Sequence, residues 1–338
     1  MDMCGRRVVR DVLLGFVAAM ALAFSGTACA EQPGTPPPGK PIKVVATIGM
    51  IGDVAREIAG DRAQITTLMN EGVDPHLYKA SPGDVRTMSD ADIILYSGLH
   101  LEGRMADVIV RMASRQSVIR VTEAIDESKL REPPEFHGHF DPHVWFDVKL
   151  WSSAASRIRD AFAAHDPAGG PAYAASFERY SGVLATLDDY ARQTIATIPK
   201  ESRVLVTAHD AFGYFGEAYG IEVMAIQGIS TDSEASLQDI NALVDTLVQR
   251  KVPAVFIESS VPRKTVDALV EGCRGRGHPV KIGGELFSDA MGKAGTLEGT
   301  YVGMVLHNVD TITRSLGGVV PESKPGALGT YVREHGGR

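Results

Sequence analysis

The stretch RVLVTAHDAFGYFGEAY, residues 203–219, decides the fold. Residues 203–207 are a short apolar, β-branched run of the kind buried on both faces of a parallel sheet. From Ala211 to Tyr219 the spacing becomes helical, and His209 sits at the junction. A strand running directly into a helix is half of a βα unit. The same grammar extends in both directions. Residues 43–47, 65–69, 93–97 and 118–121 read as strands before it, and 222–225, 254–258 and 280–282 as strands after it. Residues 53–59 and 84–88 read as parts of intervening helices. Such alternation implies an α/β fold with right-handed crossovers and mostly parallel sheets flanked by helices.

The strands fall into two groups, so two lobes are expected. Between them, residues 171–198 contain no internal Gly or Pro except Gly182 and place Tyr173, Phe177, Tyr180, Leu184, Leu187, Ala191, Ile195 and Ile198 at spacings of three and four. That stripe predicts one long helix of roughly 40 Å joining the lobes. The expected organisation is therefore an N-terminal lobe over 42–170, the connecting helix over 171–198, a C-terminal lobe over 199–318 and a loose tail over 319–338.

The N-terminus reads differently. Arg6, Arg7 and Arg10 precede an apolar core at 12–24 that is too short to span a bilayer, followed by the small residues around Cys29. Residues 1–29 are thus an export signal, with cleavage either before Cys29, lipidating its thiol, or after Ala30. The Pro- and Gly-rich EQPGTPPPGKP, at 31–41, reads as the main part of a tether over 30–41. Membrane association would come only through that lipid, and a monomer is expected. A net charge of −8 carries no basic excess for neutralising phosphates, which excludes an ordinary nucleic-acid binder. Cys273 is the one cysteine beyond the signal, so no disulfide framework and no thiolate metal site can form in the mature chain.

The chemistry concentrates at strand ends and in loops. Asp-Pro-His occurs twice, at 74–76 and 141–143. Proline fixes its own φ and restricts its predecessor, so His76 and His143 leave stiff turns in defined directions. His209 lies where ligands bind in open parallel sheets, at the carboxyl end of a strand. The Gly-rich GGELFSDAMG, 283–292, follows another strand and offers Glu285 and Asp289 as alternative carboxylates. Glu258, ending the strand at 254–258, is a third acidic candidate near the same crevice. Three imidazoles and one carboxylate suit Zn(II), and with a bidentate carboxylate they also accept Mn(II).

These motifs, VDPHLYKASPGD at 73–84, DPHVWFDVKLWS at 141–152, RVLVTAHDAFGYF at 203–215, FIESS at 256–260, GGELFSDAMG at 283–292 and GTYVGMVLHN at 299–308, occur in order over nearly the whole mature chain. Together they resemble the TroA-like solute-binding proteins of zinc and manganese ABC transporters. The resemblance implies capture of one ion, Zn(II) ahead of Mn(II), between the lobes and delivery to a membrane permease, without catalysis. It implies His76, His143, His209 and Asp289 as ligands, two from each lobe in chain order, with Glu258 and Asp141 behind them. Zinc-dedicated relatives often carry a long His-rich loop ahead of the second ligand, whereas only His137 and His139 occupy it here, as candidates for transient metal capture. A surface adhesin and a secreted zinc hydrolase using Glu258 as general base are the alternatives.

Overall fold

The computed structural model describes residues 40–336, so the export signal, Cys29 and nearly all of the tether lie outside the described residues. The N-terminal half is built on β1 (Ile42–Ile48), β2 (Ala63–Met69), β3 (Ile93–Tyr96) and β4 (Ser117–Arg120). They pair in the order β2-β1-β3-β4, every pairing parallel. β1 takes the centre because IKVVATI buries Val44, Val45, Ala46 and Ile48, leaving no solvent face. Helix α1 (Gly49–Ala59) covers it with Met50, Ile51, Val54, Ala55 and Ile58, while α2 (Pro82–Ser89) and α3 (Ala106–Ala113) complete the crossovers. Ser81 and Asp84 form a reciprocal capping box that starts α2.

Helix α4 (Val148–His165) leads into α5 (Gly170–Ile195), the long helix, whose 26 residues span about 39 Å. Its buried stripe of Tyr173, Tyr180, Leu184, Leu187, Ala191 and Ile195 packs against α1 and α4 of the first half and, in the second, against α6 (Gly213–Tyr219) and α9 (Tyr301–Ser315).

The C-terminal half contains β5 (Val204–His209), β6 (Glu222–Gln227), β7 (Ala254–Glu258) and β8 (Lys281–Leu286), with α7 (Leu237–Arg250) and α8 (Lys264–Gly275) between them. β5 pairs with β6 and β7 with β8, both parallel. Between the neighbouring β5 and β7 a side chain does what a ladder would do. One carboxylate oxygen of Glu258, at the end of β7, accepts the backbone N–H groups of Ala208 and His209 at 2.7 and 2.9 Å.

Two sequence expectations need correction. The stretch around Gly283 and Gly284 is not loop but strand, part of β8. Its glycines allow close approach: a Cβ on Gly283 would stand 2.8 Å from the Phe256 ring, and one on Gly284 would stand 2.5 Å from Thr311 Cγ2 on α9. Residues 319–338 are not simply a loose tail either. They include α10 (Gly326–His335), which buries Leu328 and Tyr331 and docks on α5, with the Tyr331 hydroxyl donating to Glu57 Oε1 at 2.9 Å. This segment has only 10 helical residues and gains its stability from docking, which a local pattern does not display.

Candidate metal centre

The loops after β2 and β4, the last residue of β5 and the loop after β8 converge at the carboxyl ends of the parallel strands, bringing together His76, His143, His209 and Asp289. One donor atom from each lies within 4.8 Å of all the others, and all four residues are buried. His76 Nε2 is 3.3 Å from His143 Nε2 and 3.6 Å from Asp289 Oδ2. His143 Nε2 is 3.4 Å from Asp289 Oδ1, and His209 Nε2 is 3.2 Å from Asp289 Oδ2. A tetrahedral zinc site with bonds of about 2.0–2.1 Å sets its donors about 3.3 Å apart. The observed separations straddle that value. Both Asp289 oxygens and His209 Nε2 are fully buried without a hydrogen bond, an arrangement that native interiors rarely leave without another partner.

The far sides of two rings explain why the His143 and His209 Nε2 atoms face inward. His143 Nδ1 lies 2.8 Å from Asp141 Oδ1, which also accepts the His143 backbone N–H, while Asp141 Oδ2 is paired at 2.6 Å with Arg131. His209 Nδ1 lies 2.5 Å from the second oxygen of Glu258. A proton held on Nδ1 by a carboxylate leaves the Nε2 lone pair free for an ion. His76 has a different support: its backbone N–H donates to Asp74 Oδ1 at 2.9 Å.

The electrostatics follow from this arrangement. Burial, the largest influence on Asp289, opposes ionisation, yet His209 and His143 together outweigh it and hold the carboxyl well below its usual range. Burial likewise opposes charge on His143, but Asp141 and Asp289 push its pKa up to about 9. His209 is raised well above the ordinary value as Glu258 and Asp289 overcome its burial. His76 goes the other way, to about 4, because burial and the neighbouring imidazoles outweigh Asp289. The buried carboxylates thus favour positive charge on His143 and His209.

A family model described as "ZnuA: Zinc-uptake complex component A periplasmic" matches residues 44–315. The chain belongs to this family. It is 47% identical over 309 residues to the zinc-binding protein TroA of Treponema pallidum, covering 91% of this chain and 99% of that one. It is 46% identical over 303 residues to the manganese-binding lipoprotein MntA of Bacillus subtilis, covering 89% and 99%. The solved structure of the Treponema pallidum periplasmic zinc-binding protein TroA superposes with a TM-score of 0.80 at 51% identity, covering 82% of this chain and 99% of that one. As a ZnuA-family member the chain is an extracytoplasmic, metal-binding solute-binding protein of an ABC transporter. No described helix is long and apolar enough to cross a membrane.

Within this ZnuA-family frame, the alternatives among the acidic residues separate by position. Glu285 lies on the exposed side of β8, whereas Asp289 is buried in the cluster. Glu258 and Asp141 stand behind His209 and His143. His139 packs against His100, ring centroids 4.4 Å apart, and against Phe136, while His137 is exposed; neither joins the four. Sequence reasoning missed Arg131 and Asn308. Asn308, on α9, clamps the strand end before the site by accepting from the Phe287 N–H at 2.9 Å and donating to its carbonyl at 2.7 Å. Arg131 left one readable trace, Gly213, where a Cβ would collide with the guanidinium.

Proposed function

We propose that His76, His143, His209 and Asp289 hold one divalent transition metal ion as cargo between lobes formed by residues 42–170 and 199–318, for delivery to the membrane permease of an ABC transporter. The observation that carries this reading is the buried Asp289 carboxylate, whose two oxygens lack hydrogen bonds and face three imidazole Nε2 atoms at 3.2–3.6 Å. Zinc is preferred over manganese. The relatives at 47% and 46% identity are named for zinc and for manganese respectively, so the preference rests on the donors. Three imidazoles and a carboxylate complete a four-coordinate shell, while Mn(II) needs further oxygen ligands, which only a bidentate Asp289 or water can add.

Transport rather than catalysis fits the same geometry. Four protein donors leave a tetrahedral ion no open position for a reacting water. Glu258, the general base that a hydrolase would need, is engaged by two backbone N–H groups and an imidazole. Lipidation of Cys29 belongs to this proposal and rests on the sequence alone. Cys29→Ser should move the chain from the membrane fraction to the soluble one.

The test is native mass spectrometry of untagged protein offered zinc and manganese in competition. A monomer carrying one zinc, lost in His76→Ala and Asp289→Ala, supports the reading. Uptake of no divalent ion, or binding unchanged in His209→Ala, overturns it.

A further inference from the structure

Chain order divides the four donors two and two, but hydrogen bonds and ring stacking join the His143 segment to the segments bearing His209 and Asp289. The segment bearing His143 is tied to the C-terminal half. The Tyr214 hydroxyl donates to the Asp141 carbonyl at 3.0 Å, and the Trp145 indole N–H donates to the Ser288 carbonyl at 3.1 Å. The Tyr301 hydroxyl donates to the Trp145 carbonyl at 2.7 Å, and Phe146 stacks on Phe212 with centroids 4.3 Å apart. His143, His209 and Asp289 therefore belong to one packed body. His76 reaches them from the loop after β2.

Two contacts tie that loop and a neighbouring turn across, one of them a solvent-exposed ion pair. Asp74 uses Oδ1 to hold the His76 backbone and Oδ2 to accept the hydroxyl of Thr231 at 2.6 Å. Thr231 lies between β6 and α7, in a loop secured at its base by Gln227 donating to the Ser233 carbonyl at 3.2 Å. Its neighbour Asp232 pairs at 2.5 Å with Arg104, from the turn ahead of α3, with side chains 50% and 39% exposed. Ion pairs this exposed hold weakly, so the contact can open and reform readily.

We propose that Asp74, Thr231, Arg104 and Asp232 form a clasp that positions His76 as the displaceable ligand, through which the ion enters and leaves a preformed three-donor pocket. Opening the clasp frees His76 and leaves His143, His209 and Asp289 in place. The clasp thus governs the rate of exchange, while the four donors together govern which ion is held. This inference rests on the metal reading of the site.

The experiment loads the full mature chain with zinc and follows its release to excess chelator by stopped flow. Thr231→Val should release zinc about three- to tenfold faster and Arg104→Asp about two- to fivefold faster, the ranges set by losing one hydrogen bond and one exposed ion pair respectively. The charge-swapped double variant, Arg104→Asp with Asp232→Arg, should return towards the wild-type rate. A merely structural role for Arg104 would not produce that rescue. Unchanged release in both single variants, or acceleration that the swap does not reverse, overturns the clasp while leaving the metal site standing. A wild-type chain that takes up no zinc overturns the metal reading and the clasp together.

Discussion

Glu258 binds His209 twice: one carboxylate oxygen accepts the backbone N–H of His209 at 2.9 Å, and the other lies 2.5 Å from Nδ1 of the same residue. The strand end and the ring are thereby set by one buried side chain. Glu258→Gln keeps the shape but replaces one acceptor with an amide donor and removes the charge that favours a proton on Nδ1. Loss of such a partner behind a ligating imidazole lowers metal affinity by about ten- to a hundredfold. Competition titration with a zinc chelator measures it, and wild-type affinity in Glu258→Gln would refute the role.

Metal binding should release protons. A ligating imidazole must be neutral, and in the ion-free chain His143 is pushed up to about 9 and His209 is raised well above its ordinary value, while His76, near 4, is already neutral at pH 7.5. Protons compete with the ion below these raised pKa values, so affinity rises with pH and falls as pH drops below about 9. This window lies above that of ordinary histidine. Calorimetry in buffers of different ionisation heat should give net proton release on zinc binding at pH 7.5. Release of none would contradict the charge assignment.

Asp53 supplies a separate pH dependence, in stability. It is buried, its Oδ2 accepts the Tyr301 N–H at 2.8 Å, and burial pushes its pKa up to about 7. A carboxyl raised on folding contributes stability below its unfolded pKa that is lost as pH rises through the folded value, here between about 4 and 7. Asp53→Asn keeps an acceptor for Tyr301 without the charge. It should therefore raise stability by on the order of 2 kcal/mol at pH 8.5 relative to its effect at pH 5, as denaturant midpoints can show.

Gly284→Ala should be destabilising. The new methyl group would meet Thr311 Cγ2 at 2.5 Å, and a β-branched residue on a helix has little freedom to turn away. Overpacking of this kind costs about 1–3 kcal/mol. Thermal unfolding checks it; an unchanged midpoint would mean that α9 is not held closely against β8.

Strands β1, β3, β5 and β7 were legible because parallel strands buried on both faces read as apolar, largely β-branched runs, and the half-exposed β2, β4, β6 and β8 also overlap segments identified as strands. The long helix was legible for the matching reason, an apolar stripe sustained over 26 residues. Helix α10 was not, since its stability comes from docking. Nor could spacing choose between Glu285 and Asp289. Both follow the apolar run at 280–282 in the sequence, but Glu285 falls within β8 and Asp289 beyond its end, and the choice depends on where that strand stops. The attachment of His143 to the C-terminal half was equally hidden, because Tyr214, Phe212, Ser288 and Tyr301 lie far along the chain from the loop that they hold.

The central claim is that three imidazoles and the Asp289 carboxylate surround one ion. X-ray absorption at the zinc edge of the loaded protein tests it most directly. The account predicts a low-coordinate shell of nitrogen and oxygen at about 2.0–2.1 Å, with outer-shell scattering from three imidazole rings that falls to two in His209→Ala. A shell containing sulfur, or an imidazole count unchanged by that substitution, would contradict it.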